Sequence, residues 1–196
     1  MYEFLCKHKV IVEKLNYFQW AKFLEKVTTG DKTTLLLSKI DESAKRNNLS
    51  YYRQILFEEF ENTCFYCGKK LYSQADVDHF IPWSFVMNDE LWNLMPMDSA
   101  LNSAKNNKLP DWNDFFIRFA RNQYIMYEMI HEREGIRKLY EACYRDNLHS
   151  IWANQELYRK GNSDIEFYGI LEKNMRPVYD SARRQGYDVW DKRLVV

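Results

Sequence analysis

The helical pattern of this 196-residue chain breaks off in one central segment, residues 63–110. On both sides of it, apolar residues recur at the spacing of amphipathic helices. Inside it, short apolar pieces such as residues 75–81 are separated by Gly68, Pro82 and Pro96. Such interruptions favour short strands and turns over a continuous helix. We therefore expect an α+β protein: a mostly helical chain with a small β-containing unit embedded in it.

The same change of pattern divides the chain into three regions. We expect an N-terminal helical support at residues 1–62, a central unit at residues 63–110, and a C-terminal helical region at residues 111–196 packed on that unit. Apolar periodicity predicts the helices, over about residues 16–30, 35–45, 50–62, 98–107, 115–130, 136–144, 151–159 and 165–181. A composition of 46% hydrophobic residues with six glycines and four prolines is typical of a packed protein rather than a disordered one.

Charge is evenly balanced along the chain. The 28 basic residues equal the 28 acidic ones in number, so no overall field attracts a polyanion and any contact with nucleic acid must be local. No apolar run approaches the roughly 20 residues needed to cross a bilayer. The N-terminus lacks the apolar core of a signal peptide, and four cysteines do not suggest a disulfide scaffold. We expect a cytoplasmic protein that does not associate with membranes.

Three groups of residues in the central unit can carry chemistry. The first is Cys64 and Cys67, whose spacing can place two thiolates on a tight turn as half of a tetrahedral zinc site. Two small buried cysteines at a structural turn explain this spacing equally well.

The second group is Asp78 and His79, which end a short apolar strand. Hydrolysis of a phosphodiester needs a base that takes a proton from water and a cation that neutralises charge on the phosphate. His79 can supply the base and Asp78 an oxygen ligand for the cation. Taken alone, such a pair is more often a strand end or a satisfied hydrogen-bonded pair.

The third group is Asn93 followed by Asn102 and Lys105. Asn102 and Lys105 are three residues apart and would share a helix face. An amide oxygen can bind a metal, and a lysine can meet a phosphate as a point charge. The alternative is a turn at Asn93 and a solvated helix surface.

The order and spacing of these groups resemble the HNH endonuclease family. The pattern is CxxC, then Asp-His-x-x-Pro-x-Ser, then Asn-Leu, then Asn-x-x-Lys, and it is present at residues 64–105. The stretch DVDHFIPWSF, residues 76–85, is also similar to the HNH domain of the RNA-guided CRISPR effectors.

The resemblance implies a ββα-metal fold and a role for each residue. His79 would be the general base, Asp78 and Asn102 metal ligands, and Asn93 the residue that pins the loop between strand and helix. Lys105 would bind phosphate. The implied cofactor is Mg²⁺ or Mn²⁺, and the implied substrate is DNA, with RNA as the second option.

The resemblance does not determine the biological pathway, and it leaves one alternative function open. A protein partner would supply targeting, and restriction or anti-phage defence is suggested by analogy with the family alone. The alternative is a degenerate HNH knuckle that binds nucleic acid or a protein without cutting. The intact Asp78, His79 and Asn102 favour the nuclease.

Two features depart from the simplest version of this fold. Adjacent strand residues face opposite sides, so Asp78 and His79 can converge only if the strand distorts, which the nearby Pro82 would allow. Family members with four cysteines carry a second CxxC before the helix, where this chain has Asp98 and Leu101. A four-cysteine zinc site is therefore excluded, and we expect no structural zinc at Cys64 and Cys67.

Overall fold

The computed structural model describes residues 15–16, 19–20, 49–59, 63–71, 75–145, 150 and 152–191. The chain divides into two compact units, Met1–Arg46 and Asn47–Val196. In the first unit the four described residues are helical, and most of the helices predicted over residues 16–30 and 35–45 lie outside the described residues. The three-part division expected from the sequence stays a prediction.

The second unit is mostly helical with a small sheet, which confirms the predicted α+β class. Its helices are α1 (Ser50–Glu59), α2 (Trp83–Val86), α3 (Ser99–Lys105), α4 (Trp112–Glu132), α5 (Glu134–Arg145) and α6 (Asp164–Arg184). The helices predicted over residues 98–107, 115–130, 136–144 and 165–181 are thus confirmed. Over residues 151–159 the structure instead has a short π-helical segment, Ala153–Leu157.

The long helices begin where the sequence supplies a side chain to cap them. The Asp111 carboxylate accepts from the backbone N–H of Asp114 at the start of α4. Ser163 and Glu166 form a reciprocal capping box at the start of α6. Such caps satisfy backbone donors that the first helical turn leaves unpaired.

The sheet is a two-stranded antiparallel hairpin with a regular register. Strand β1 (Asp76–His79) pairs with β2 (Leu94–Met97), so that Asp76 lies opposite Met97 and His79 opposite Leu94. The connection between the strands contains α2 and a single 3₁₀ turn, Leu91–Asn93. Because the register is regular through His79, the strand distortion that would bring Asp78 and His79 together is not present.

Helix α3 follows β2 directly and completes a ββα unit. Asp98 caps it, accepting from the Leu101 N–H at 3.0 Å, as expected from the sequence. The helix packs against β1. The residues expected at the active site are therefore held by β1, by the connection after it and by α3.

Helix α4 and a cluster of aromatic side chains support the hairpin. The buried amide of Gln123 donates to the backbone oxygens of Leu91 and Leu94, at 3.0 and 3.1 Å. The centroid of the Phe80 ring lies 4.4 Å from that of Phe119 on α4. The hairpin geometry therefore rests on interior packing as well as on its own short strands.

Residues 189 and 190, near the C-terminal end of the described chain, contact Leu109 in the segment 63–110. Leu109 forms a parallel bridge with Val189, and the Trp190 N–H donates to the Leu109 oxygen at 2.7 Å. Among the described residues, none of the helices is long and apolar enough to cross a membrane.

Candidate active site

Strand β1 sends its polar side chains to two different sides of the hairpin. Side chains alternate along a regular strand, so Asp76 and Asp78 share the face that α3 covers, whereas His79 points to the other. The contacts agree with this: Asp76 and Asp78 bond to residues of α3, and His79 bonds to the connection between the strands. The sequence motif groups Asp78 with His79, but the fold provides each with a separate set of partners.

Asp78 belongs to a buried polar cluster. One carboxylate oxygen accepts from Lys105 Nζ at 3.0 Å and the other from the Tyr66 hydroxyl at 3.0 Å. Burial, and secondarily the negative charge of Asp78, raise the pKa of Tyr66 well above its ordinary value. Tyr66 therefore stays protonated and acts as a donor to Asp78.

Lys105 does not lie where a phosphate-binding lysine would be expected. Its side chain is fully buried, and Nζ donates to Asp78 and also to the His79 backbone oxygen at 2.9 Å. A side chain with no exposed surface cannot meet a phosphate from solvent in this conformation. Lys105 instead neutralises Asp78 inside the protein and fixes the end of β1 against α3.

Asp76 and Asn102 form a second, more open pair on the same face. The Asn102 Nδ2 donates to Asp76 Oδ2 at 2.9 Å, and both side chains are partly exposed. The two ends of an amide are assigned from the hydrogen bonds they make. A half-turn of the Asn102 amide would aim its oxygen at Asp76, which is the arrangement that a cation between the two groups requires.

His79 is paired with a carboxylate that the motif pattern does not include. Its Nε2 lies 2.8 Å from Asp89 Oδ1, and the two side chains are 9% and 2% exposed. The Asp89 backbone oxygen in turn accepts from the Tyr52 hydroxyl of α1 at 2.8 Å. The imidazole is therefore held between the hairpin and the connection that precedes β2.

Asn93 clamps the chain just after β1. Its Oδ1 accepts from the Ile81 N–H at 2.8 Å, and its Nδ2 donates to the Ile81 oxygen at 2.9 Å. The Asn93 side chain is completely buried. This geometry fits the pinning role that the resemblance implied, although the loop it holds is the one between the two strands.

The polar residues on β1, on the connection after it and on α3 all lie in one segment that matches a known family. Residues 64–111 match the HNH endonuclease family model. The match covers about a quarter of the chain and confirms the predicted resemblance for that segment. The likeness to the CRISPR effectors stays a prediction. Neither the curated proteins nor the solved structures contain a significant match to this chain.

Residues 64–111, called the HNH segment below, offer oxygen ligands on the α3 face of the hairpin. Asp76, Asp78 and Asn102 present carboxylate and amide oxygens, which hard cations such as Mg²⁺ prefer. The Lys105 ammonium already neutralises Asp78, so a cation at this position would share the Asp78 carboxylate with it. In the described part of the chain, no three His, Cys, Asp or Glu side chains are close enough to form a metal site by themselves. The asparagine would therefore have to contribute.

The cysteine turn of the HNH segment braces the hairpin. Cys64 Sγ accepts from the Asp98 N–H at 3.4 Å, and the Phe65 N–H donates to the Pro96 oxygen at 2.9 Å. Burial raises the pKa of the Cys64 thiol, which disfavours the thiolate that zinc requires. The turn has a visible structural role, and the expectation of no zinc at Cys64 and Cys67 stays a prediction.

The tryptophans around the HNH segment mainly serve packing. Trp92 is buried against Trp152 and donates from Nε1 to Glu90 at 2.7 Å. Trp112 lies in the core against Phe116 and Tyr179. Neither Trp92 nor Trp112 is available to stack on a base.

Proposed function

We propose that residues 64–111 form a metal-dependent HNH endonuclease site that hydrolyses phosphodiester bonds in DNA. The observation that carries the proposal is the His79 imidazole, held by a buried carboxylate at 2.8 Å inside the segment that matches the HNH endonuclease family. A histidine oriented by a carboxylate is the arrangement expected of a general base. Fixed orientation matters because proton transfer requires the ring to be aimed at the attacking water.

His79 would take a proton from water as the water oxygen attacks phosphorus. The new O–P bond forms as the bond between phosphorus and the 3′ oxygen breaks. The departing 3′ oxygen takes a proton from solvent water, which leaves a 5′-phosphate and a 3′-hydroxyl. Asp76, Asp78 and Asn102 would hold the divalent cation, Mg²⁺ or Mn²⁺. Asp78 would join by exchanging its hydrogen bond with Lys105 or Tyr66 for the cation, and the phosphate would have to span the end of β1 to reach both the cation and His79. When bound, that cation neutralises charge that develops on the phosphate oxygens.

The chain's own residues maintain this geometry. Asn93 fixes the backbone at Ile81, which limits movement of the strand end that carries His79. Lys105 fixes the same strand end from the α3 side through the His79 oxygen. In our proposal, Asn93 and Lys105 position the site and neither contacts the substrate.

We further propose that targeting comes from a partner. The central unit has four basic residues, Lys69, Lys70, Lys105 and Lys108, and one of these is buried. Few phosphate contacts are then available from this unit. A protein partner in the cytoplasm, in a restriction or anti-phage defence setting, would supply the missing recognition.

The nuclease proposal is tested with the purified chain and three substrates: plasmid DNA, single-stranded DNA and single-stranded RNA. We expect cleavage of DNA with Mg²⁺ or Mn²⁺ and none with EDTA. Cleavage that persists in EDTA would refute the metal-dependent mechanism. Cleavage of RNA but not of DNA would show that the substrate is RNA, and the proposed hydrolytic mechanism would still hold.

The second candidate is a non-catalytic binding module. The observation that favours it is the buried Lys105, which already neutralises Asp78 as a degenerate metal site would require. This module would bind DNA or a protein without cutting it. Binding without cleavage of any of the three substrates, at saturating Mg²⁺ and Mn²⁺, would support it over the nuclease.

A further inference from the structure

We propose that Asp89 is the positioning residue for His79, and that it fixes the imidazole with its hydrogen on Nε2 and its lone pair on Nδ1. This inference rests on the proposed function of His79 as a base. It assigns a role to a residue outside the motif pattern and names the ring nitrogen that would take the proton.

The contact between His79 and Asp89 favours one tautomer of the imidazole ring. Nε2 lies 2.8 Å from Asp89 Oδ1. A carboxylate oxygen normally accepts a hydrogen bond and a ring N–H donates one, so this pairing assigns the hydrogen to Nε2. In the neutral ring, Nδ1 then has the lone pair that can accept a proton from water.

Asp89 is itself held in place from two sides. Its backbone oxygen accepts from the Tyr52 hydroxyl at 2.8 Å. The next residue, Glu90, accepts from the Ser150 N–H at 2.9 Å and from Trp92 Nε1 at 2.7 Å. These contacts come from α1, from residue 150 and from the 3₁₀ turn, so the Asp89 segment has little freedom to move.

Burial strengthens the contact between the two side chains. Those of His79 and Asp89 are 9% and 2% exposed. Water competes poorly for a hydrogen bond in such surroundings, and a charged acceptor makes the bond stronger still. Removal of a group that orients a metal-bound histidine typically lowers activity by about 10- to 100-fold, and we expect an effect of similar size for Asp89.

The test compares the wild-type chain with Asp89→Asn, which keeps the shape but replaces the charged acceptor. The matched control is Asp180→Asn, the same change at a partly exposed carboxylate paired with Arg176 on α6. Two quantities are measured at about pH 8: the ¹⁵N and ¹H resonances of the His79 ring, and the single-turnover rate of DNA cleavage with saturating Mg²⁺.

In the wild type we expect a hydrogen on Nε2 with a slowly exchanging, downfield proton resonance, and none on Nδ1. In Asp89→Asn that resonance should shift upfield or disappear, and the cleavage rate should fall about 10- to 100-fold with little change in DNA affinity. Asp180→Asn should leave both unchanged. A purely structural role for Asp89 would alter stability and leave the Nε2 proton resonance as it is in the wild type.

A hydrogen on Nδ1 of the wild-type ring, alone or together with one on Nε2, would overturn the inference. So would unchanged cleavage by a folded Asp89→Asn protein when His79→Gln is inactive. The wild-type spectrum decides the first point even if Asp89→Asn fails to fold. If His79→Gln cleaves like the wild type, the assignment of His79 as the base fails. The hydrogen bond between Asp89 and His79 is then still tested by the ¹⁵N and ¹H spectrum of the wild-type ring.

Discussion

At the scale of single residues, the HNH segment depends on a buried ion pair between Lys105 and Asp78. Lys105 is fully buried, and the Asp78 side chain is 6% exposed. Burying either charge alone would be strongly unfavourable, whereas together they are tolerated because each satisfies the other. The pair therefore makes the position of α3 sensitive to either side chain.

We predict that Lys105→Met lowers the free energy of unfolding by about 3–5 kcal/mol, because it leaves the Asp78 carboxylate buried without its cation. Adding Asp78→Asn should recover much of this loss. Urea unfolding of both variants is the measurement. The control is Lys138→Met, which removes an exposed ion pair with Glu134 and should cost less than about 1 kcal/mol. Equal losses for Lys105→Met and Lys138→Met would contradict the buried pair.

Glu90 makes the stability of the fold depend on pH. Burial raises its pKa, and hydrogen bonds from Ser150 and Trp92 oppose the rise. The folded state then holds the proton more tightly than the unfolded state. The resulting stability is fully present below the unfolded pKa, about 4.3, and is lost as the pH rises through the folded pKa.

Glu90→Gln should therefore gain stability relative to the wild type as the pH increases from about 4 to about 7. The measurement is urea unfolding of both proteins across this range. A difference between them that does not vary with pH would contradict the raised pKa of Glu90.

The sequence identified the residues of the motif but not their partners. Asp78, His79, Asn93, Asn102 and Lys105 follow from order and spacing. Asp76 could have been found, because it shares a strand face with Asp78 two residues later. Asp89 carries no spacing signal, since its contact with His79 depends on how the connection between the strands folds against α1.

At the scale of elements, capped and periodic segments were predictable and segments held by tertiary contacts were not. Helix α3 starts at Ser99 after the Asp98 cap, as the sequence indicated. The segment predicted as a helix over residues 151–159 is π-helical over Ala153–Leu157. Its end is tied by Asn162, whose Nδ2 donates to the oxygens of Glu156 and Leu157, a contact that periodicity cannot reveal.

The Asn93 side chain clamps the chain just after β1, and this leads to a prediction for Asn93→Ala. The change leaves the Ile81 N–H and oxygen without their side-chain partner inside the protein. An unsatisfied buried group costs about 1–3 kcal/mol, so for two such groups we expect a loss of at least about 2 kcal/mol together with slower DNA cleavage.

Chemical unfolding and the cleavage assay test this prediction about Asn93. Asn113→Ala is the matched control, because Asn113 is exposed on α4 and its loss should change neither quantity appreciably. An Asn93→Ala protein as stable as Asn113→Ala would show that the clamp does not support the hairpin.

At the scale of the whole molecule, balanced charge limits how the chain can bind DNA. The net charge is zero, and burial of Lys105 leaves Lys69, Lys70 and Lys108 as the exposed basic residues of the central unit. In the described part of the chain, further contacts could come from exposed arginines on α4 and α6, including Arg118, Arg121, Arg183 and Arg184. The sequence cannot show whether these arginines share a face, because that depends on how the helices pack.

We predict weak binding of DNA with little sequence preference. Each neutralised phosphate contributes about 0.9 to the slope of log affinity against log salt, so three contacts lead to a slope of about 3 in magnitude. Titrations of random and genomic DNA between low and physiological salt measure it. Nanomolar, site-specific binding by the chain alone would contradict the need for a targeting partner.

The most direct test of the central claim is the single-turnover rate of DNA cleavage by His79→Gln with saturating Mg²⁺. The glutamine amide can still donate to Asp89, so the variant should fold. The control is His131→Gln, at a histidine that contacts the Tyr158 backbone oxygen outside the HNH segment. We predict a loss of about 10²- to 10⁴-fold for His79→Gln, with DNA affinity unchanged and His131→Gln fully active. A folded His79→Gln protein that cleaves at the wild-type rate would contradict the assignment of His79 as the general base.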